Sequence, residues 1–316
     1  MNVLVTGGCG FIGSHFIEEI LKRDVVKRII NIDSMTYAAN KILPFTNNIK
    51  YLFYKIDINE KEVYDLLVSH EIDHLIHFAA ESHVDNSIKD SEPFIRTNIN
   101  GTFNLLRKAL EYGKLKKFIH VSTDEVFGSL SLEEKSFDNN SSYKPNSPYA
   151  ASKAASDLLA RSYYKTYKLP VIITNCSNNF GPRQFPEKMI PVCLNKLVNK
   201  EPIPLYGQGT NVRDWIYVKD HASAIIDVML EGEVGKQYLI GGEKEINNFD
   251  LIHILKSKYS ELTGINVDWN WFRYVEDRKG HDVRYGIDTT EFKTKFKNFK
   301  LTDFDLAIEE TIKFYI

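Results

Sequence analysis

A chain of 316 residues, 43% of them hydrophobic, is long enough for one large α/β domain plus a smaller lobe, which excludes a mini-protein held by staples. Lys and Arg total 40 against 42 Asp and Glu, a formal charge of -2 that offers no basic field for nucleic acid and no acidic tail. Cys9, Cys176 and Cys193 show neither CxxC nor Cys/His spacing, no run reaches membrane-spanning length and no leader-like segment precedes the first strand, so no metal, no membrane partner, no processing and a cytoplasmic setting are expected.

The apolar, β-branched run Asn2–Thr6 predicts a strand, and the run Gly7-Gly8-Cys9-Gly10-Phe11-Ile12-Gly13 follows it at once. A helix is expected near Ile12–Lys22. Strand patterns recur at Arg28–Asp33, Asp73–Phe78, Lys117–Ser122 and Val171–Thr174, with helical periods at Glu60–His70, Pro93–Tyr112 and Pro148–Tyr167 between them. This alternation predicts an α/β fold of Rossmann type, a doubly wound parallel sheet with helices on both faces and a ligand site at the carboxyl edge. Beyond residue 175 the pattern is broken by Pro182, Pro186, Pro191, Pro202, Pro204 and the pair Gly207/Gly209. A nucleotide domain over 1–175 and a smaller C-terminal α/β substrate-binding lobe over 176–316 are expected. The helical periods Val218–Leu230 and Thr302–Tyr315 fall in the second part, and the segment near 215–240 is expected to return to the nucleotide domain.

In the first loop Gly7, Gly10 and Gly13 are spaced three and three. Such glycines allow a tight turn, a close approach of backbone to pyrophosphate and close packing of helix on strand. Asp33 ends the second predicted strand, where a carboxylate can hold both ribose hydroxyls of NAD and repel a 2′-phosphate. NAD is therefore the expected cofactor. Asp57 and Ile58, after a further extended run, are candidates for contact with the adenine.

Ser147 and Pro148 supply an N-cap and a first-turn proline, which places Tyr149 and Lys153 one turn apart on a single helix face. A tyrosine ordinarily titrates near ~10; an ammonium one turn away is expected to favour the phenolate, so that Tyr149 draws a proton from a sugar hydroxyl as hydride leaves. Thr123, closing the strand before it, completes a hydrogen-bonded group around that oxygen. The glycine loop, the Tyr149-xxx-Lys153 pair and Thr123 together resemble the extended short-chain dehydrogenase/reductase superfamily, over nearly the whole chain. That resemblance leaves epimerase, decarboxylase, reductase and dehydratase open.

The run Ser122-Thr123-Asp124-Glu125-Val126-Phe127-Gly128 bears on the choice. Adjacent carboxyl groups at a sheet's carboxyl edge provide one acid and one base, as elimination of water requires, with Asp124 the proton donor to a departing 6-hydroxyl and Glu125 the base at C5. Neighbouring carboxylates resist ionising together, which favours a neutral Asp124. This run is similar to the pattern of dTDP-glucose 4,6-dehydratases. So are His77-Phe-Ala-Ala-Glu-Ser-His-Val-Asp85, Thr174-Asn-Cys-Ser-Asn-Asn-Phe-Gly-Pro182, Phe185-Pro-Glu-Lys-Met-Ile-Pro191, Asn211-Val-Arg-Asp-Trp215 and Asp277-Arg-Lys-Gly-His-Asp282. The resemblance implies conversion of dTDP-glucose to dTDP-4-keto-6-deoxyglucose, with the cofactor reduced and reoxidised in each turnover. It implies cofactor roles for Phe11, Ile12, Asp33, Asp57, Ile58, Ala79, Ala80, Glu81, Ser82, Thr97, Tyr149, Lys153 and Asn179. Substrate roles fall on Ser82, Thr123, Asn178, Lys188, Met189, Pro204, Leu205, Tyr206, Arg213, Arg278 and His281. It also implies a homodimer through the helices near Phe94–Leu110 and Tyr149–Tyr167. His77, His83, His120 and His221 have no ligand spacing and are expected to be structural. The alternatives are the same dehydration on a UDP-hexose, a nucleotide-sugar 4-epimerase, and an NAD-binding protein without chemistry.

Overall fold

The computed structural model describes residues 1–316. Its strands are β1 (Asn2–Thr6), β2 (Arg28–Asp33), β3 (Tyr51–Lys55), β4 (His74–His77), β5 (Lys117–Thr123), β6 (Val171–Cys176), β7 (Asn178–Phe180), β8 (Ile203–Tyr206), β9 (Val212–Tyr217), β10 (Gln237–Ile240), β11 (Glu245–Asn247) and β12 (Phe272–Val275). Seven of them form one sheet in the order β10-β6-β5-β4-β1-β2-β3, parallel throughout. The chain runs outward from β1 to β3 and then crosses back to β4, so the order reverses beside β1. A crevice opens at the carboxyl ends there.

The helices are α1 (Phe11–Ile20), α2 (Glu62–Ser69), α3 (Val84–Lys89), α4 (Glu92–Phe94), α5 (Thr102–Tyr112), α6 (Pro148–Tyr167), α7 (Met189–Val198), α8 (Val218–Glu231), α9 (Asn248–Thr263), α10 (Thr290–Lys295) and α11 (Phe304–Tyr315). One face of the large sheet is sealed by α1 and α8, where Phe16, Ile17, Ala222, Ile225 and Met229 meet Val3, Val5 and Ile119. The other is sealed by α2, α5 and α6 through Leu66, Leu67, Leu105, Leu106 and Ala160. A third core, with Leu194, Leu205, Trp215, Leu251 and Ile308, joins α7, α9, α11 and the small sheet β11-β9-β7. No helix is long and apolar enough to cross a membrane.

β1, β2 and α6 have the bounds that the sequence pattern gives them, whereas β4 is one residue shorter at each end than expected, β5 and β6 run on to Thr123 and Cys176, and the helix expected over Pro93–Tyr112 is interrupted by a π-helical turn, Ile95–Gly101. Two contacts account for the wider turn. Buried Asn98 accepts the Glu81 N–H at 2.9 Å while its amide donates to the Glu81 carbonyl at 3.0 Å and to Ser152 Oγ at 2.8 Å. Gly101 lies where a Cβ would stand 2.4 Å from the Ile58 methyl, so Ile58 and this helix pack directly. Pairing side chains with backbone outside the helix competes with the regular ladder, and a π turn is the usual compromise.

Candidate active site

The crevice is a cavity of about 580 Å³ whose floor is the ends of β1, β2, β4, β5 and β6. At one end the glycine loop turns from β1 into α1. Gly7 has φ +72° and passes so close to the next strand that a Cβ would stand 2.6 Å from the Ala79 nitrogen. A Cβ on Gly13 would stand 2.4 Å from the Gly7 carbonyl oxygen. Gly10 caps α1 without a side-chain partner, so the first-turn amides are left to a ligand in the crevice. Asp33 sits at the tip of β2, accepting the Cys9 N–H at 2.9 Å and the Met35 N–H at 2.8 Å. Burial raises its carboxyl, and those two amides oppose the shift. Unpartnered first-turn amides and a carboxylate at the tip of the neighbouring strand, both on one crevice, fit an adenine dinucleotide.

At the centre Thr123 closes β5 and caps the 3-10 turn Asp124–Phe127, its hydroxyl accepting the Glu125 N–H at 3.3 Å and donating to Asp124 Oδ1 at 3.3 Å. The two carboxyl groups leave this turn into different surroundings. Asp124 is 1% exposed, and burial pushes its carboxyl well above the ordinary range, with the charges of Glu125 and Asp214 adding. Glu125 is also raised by burial, but Lys188, Arg213 and Arg278 pull it back. Asp124 therefore keeps its proton to higher pH than Glu125. Asp124 Oδ2, Ser122 Oγ and Asn178 Oδ1 are buried without a hydrogen-bond partner, and all three residues line the cavity. These atoms mark where a polar ligand completes the site.

Ser147 accepts the Ala150 N–H at 3.1 Å and so starts α6 with Tyr149 and Lys153 facing the same cavity. The expected depression of the Tyr149 phenol is overturned. Burial pushes it well above 10, the Glu125 charge adds, and the Thr123 hydroxyl only partly opposes. Burial likewise lowers Lys153, whose ammonium donates to the Val121 carbonyl at 2.9 Å. Desolvation outweighs attraction one turn away when both groups lie in the core.

The sequence profile of the GDP-mannose 4,6 dehydratase family matches residues 4–311. A dTDP-glucose 4,6-dehydratase of Haemophilus influenzae is 42% identical over 332 residues, covering 100% of this chain and 98% of that protein. This chain belongs to the dTDP-glucose 4,6-dehydratase family. Among solved structures, DesIV, the dTDP-glucose 4,6-dehydratase of Streptomyces venezuelae with NAD and TYD bound, superposes with a TM-score of 0.93 at 41% identity, covering 100% of this chain and 97% of that one. A UDP-glucose 4-epimerase of Thermus thermophilus in complex with NAD has a TM-score of 0.88 at 26% identity, covering 100% and 99%.

Set against the dehydratase pattern, the crevice brings together Gly7, Gly10, Phe11, Ile12, Gly13, Asp33, Asp57, Ile58, Ala79, Ala80, Glu81, Ser82, Thr97, Thr123, Asp124, Glu125, Tyr149, Lys153, Asn178, Asn179 and Lys188. Lys188 Nζ donates to the Ser82 carbonyl at 2.8 Å and joins the two sides of the mouth. Met189, Pro204, Leu205, Tyr206, Arg213, Arg278 and His281 lie outside that lining. Leu205 is 2% exposed, its side chain buried in the third core and its strand paired with β12. Arg213 donates to the carbonyls of Val212 at 2.7 Å and Asp282 at 2.9 Å and stacks 4.2 Å over Tyr285. Arg278 pairs with Asp85 and lies 5.6 Å over the Tyr206 ring, while His281 Nδ1 meets Asp277 at 2.6 Å. The sequence reading missed Arg96, Gln184 and Glu187, which also line the crevice. Each resembles an ordinary surface residue; only Glu187, inside the Phe185–Pro191 run, carried any signal. The four histidines left structural are held within the protein: His77 between Thr6 and Thr102, His83 at the α3 cap, His120 on Asp157, and His221 on Asn179.

Proposed function

We propose that the chain is a hydro-lyase that converts dTDP-glucose to dTDP-4-keto-6-deoxyglucose with NAD as a recycled oxidant. Bound NAD supplies a hydride acceptor that is regenerated within one turnover. The glycine loop and α1 hold the pyrophosphate, Asp33 the adenine ribose, and Asp57 and Ile58 the adenine. The Lys153 ammonium, with the positive charge of bound NAD, favours the Tyr149 phenolate against the burial that raises it. As phenolate Tyr149 takes the proton of the C4 hydroxyl, with Thr123 hydrogen-bonded to the same oxygen and Lys153 holding the nicotinamide ribose. A ketone at C4 makes the C5 hydrogen acidic. Glu125 removes that proton, Asp124 gives its own to the departing 6-hydroxyl, and water leaves. With hydride returned to C6 and a proton to C5, the sum is loss of one water. Residues 1–175 with the return segment 215–240 serve as the cofactor domain, and 176–316 as the sugar-nucleotide lobe. Lys188, Arg213 and Arg278 face the diphosphate from that lobe, beside Asn178, Tyr206 and His281.

The observation that carries this assignment is the unequal pair on the β5 turn. Burial in the core raises the Asp124 carboxyl well above its ordinary range, the charges of Lys188, Arg213 and Arg278 oppose the rise at Glu125, and both share the cavity with Tyr149 and Lys153. Incubating the protein with dTDP-glucose, UDP-glucose and other UDP-hexoses and scoring 4-keto product tests it. Keto sugar from dTDP-glucose first among these is expected; none from any hexose removes the assignment.

The same reading includes a homodimer in the cytoplasm. Phe103 of α5 and Leu158 of α6 are 45% and 57% exposed on helices that pack side by side, an apolar surface suited to a second copy. The three cysteines are unpaired, as a reducing compartment maintains them. Sedimentation velocity at micromolar concentration checks the dimer.

A further inference from the structure

One buried carboxyl group lies next to the oxidation machinery without belonging to it. Asp157 is one turn beyond Lys153 on α6 and 1% exposed. His120 Nε2 stands 3.0 Å from its Oδ1, while the Tyr143 hydroxyl at 2.9 Å and the Asn175 amide at 3.0 Å both donate to Oδ2. Asn175 also donates to the Thr123 carbonyl at 3.0 Å, and Gln237 of β10 donates to both Tyr143 and Asn175. The network thus links α6, β5, β6 and β10 with the end of the strand that bears Thr123, Asp124 and Glu125. We propose that Asp157 is a positioning residue for the oxidation step. Its carboxylate supplies the charge that balances the Lys153 ammonium, and through Asn175 it fixes the backbone of Thr123.

The neighbours of Lys153 leave that task to Asp157. From β4 and β5, His77 and His120 face it, and burial lowers both imidazoles so that they stay neutral. From β6 comes Cys176, whose thiol burial pushes up to about 12, and from α6 Tyr149, a phenol raised by burial. With His120 neutral, its contact with Asp157 is a hydrogen bond and leaves the carboxylate's charge uncancelled. Asp157 is also the foremost influence that raises Lys153 against its burial. An ammonium buried among neutral groups loses its proton unless a fixed anion lies near.

The assignment to the oxidation step rests on the proposed dehydratase function, but its electrostatic content can be read without turnover. In protein carrying lysine labelled with carbon-13 at Cε, the Lys153 signal, assigned through Lys153→Arg, is followed against pH. In Asp157→Asn its midpoint should fall by about one pH unit or more, since removing a nearby anion favours the neutral amine. Asp157→Glu, which returns the charge, should restore the midpoint. Tyr143→Phe removes a partner of Asp157 but not its charge, so it should lower the melting temperature with the Lys153 midpoint in place. Should Asp157→Asn not fold, the smaller neutral Asp157→Ser carries the same expectation. A midpoint that stays put in the folded neutral variant overturns the proposal, whatever the melting temperature does. Wild-type protein that makes no keto sugar defeats the dehydratase assignment instead, and the Lys153 titration still judges the role of Asp157.

Discussion

At the glycine-loop end of the crevice the polar groups include backbone amides and the carboxylate of Asp33, held by two N–H donors. At the opposite end they are side chains already engaged with others: Arg278 pairs with Asp85, His281 meets Asp277 and Lys188 donates to the Ser82 carbonyl. The first end is fixed by the sheet, because strand ends and a helix start cannot move independently of the core. The second depends on segments distant in sequence, such as residues 85 and 278, meeting across the mouth. A cofactor that stays bound suits the rigid end, and a substrate that enters and leaves in every turnover suits the end whose charges can exchange partners.

Substitutions at the two ends should differ in kind, and the acid–base turn between them should be the most sensitive point. Glu125→Gln keeps the shape and removes the base, so turnover should fall about 10³-fold while NAD still copurifies. Unchanged turnover there removes the role of Glu125. At the rigid end, Gly13→Val pushes a side chain toward the Gly7 carbonyl and should weaken NAD binding by about 100-fold, near ~3 kcal/mol, in a fluorescence titration. At the exchangeable end, Arg278→Ala should raise KM for dTDP-glucose about tenfold with kcat nearly kept, the signature of lost ground-state binding. A large loss of kcat in Arg278→Ala, or bound NAD in Gly13→Val at the wild-type level, breaks the contrast between the ends.

The pH profile sharpens it further. Glu125 must be ionised and its carboxyl is raised, so activity should fall as pH drops through a value above the usual glutamate range. Asp124 must be protonated and is raised further, so activity should fall again as pH climbs through its value. Single-turnover formation of keto sugar across pH should give a bell with these limbs, and a flat acidic side contradicts the assignment of Glu125.

The same contrast explains what could be read from the residues alone. Periodicity marked β1, β2 and α6 to their ends, because a strand buried on both faces and a helix with an N-cap and first-turn proline write their limits locally. It gave no sign of the π turn at Ile95–Gly101, which exists because Asn98 reaches Glu81 and Ser152. Nor did it expose β10, four residues that become a strand only by pairing with β6. The spacing of Tyr149 and Lys153 was legible, but their electrostatics were not. Helical spacing gives the distance between two groups and says nothing of the water lost around both.

The central claim is that Glu125 removes the C5 proton of a sugar oxidised at C4 while Asp124 protonates the leaving group. It is tested most directly by running the reaction on dTDP-glucose in heavy water and locating deuterium in the product by NMR. Wild-type protein should give a 4-keto-6-deoxy sugar with deuterium at C5, and Glu125→Gln should give almost none of it while still reducing bound NAD. A 4-epimer with its 6-hydroxyl intact and no deuterium at C5 contradicts the account.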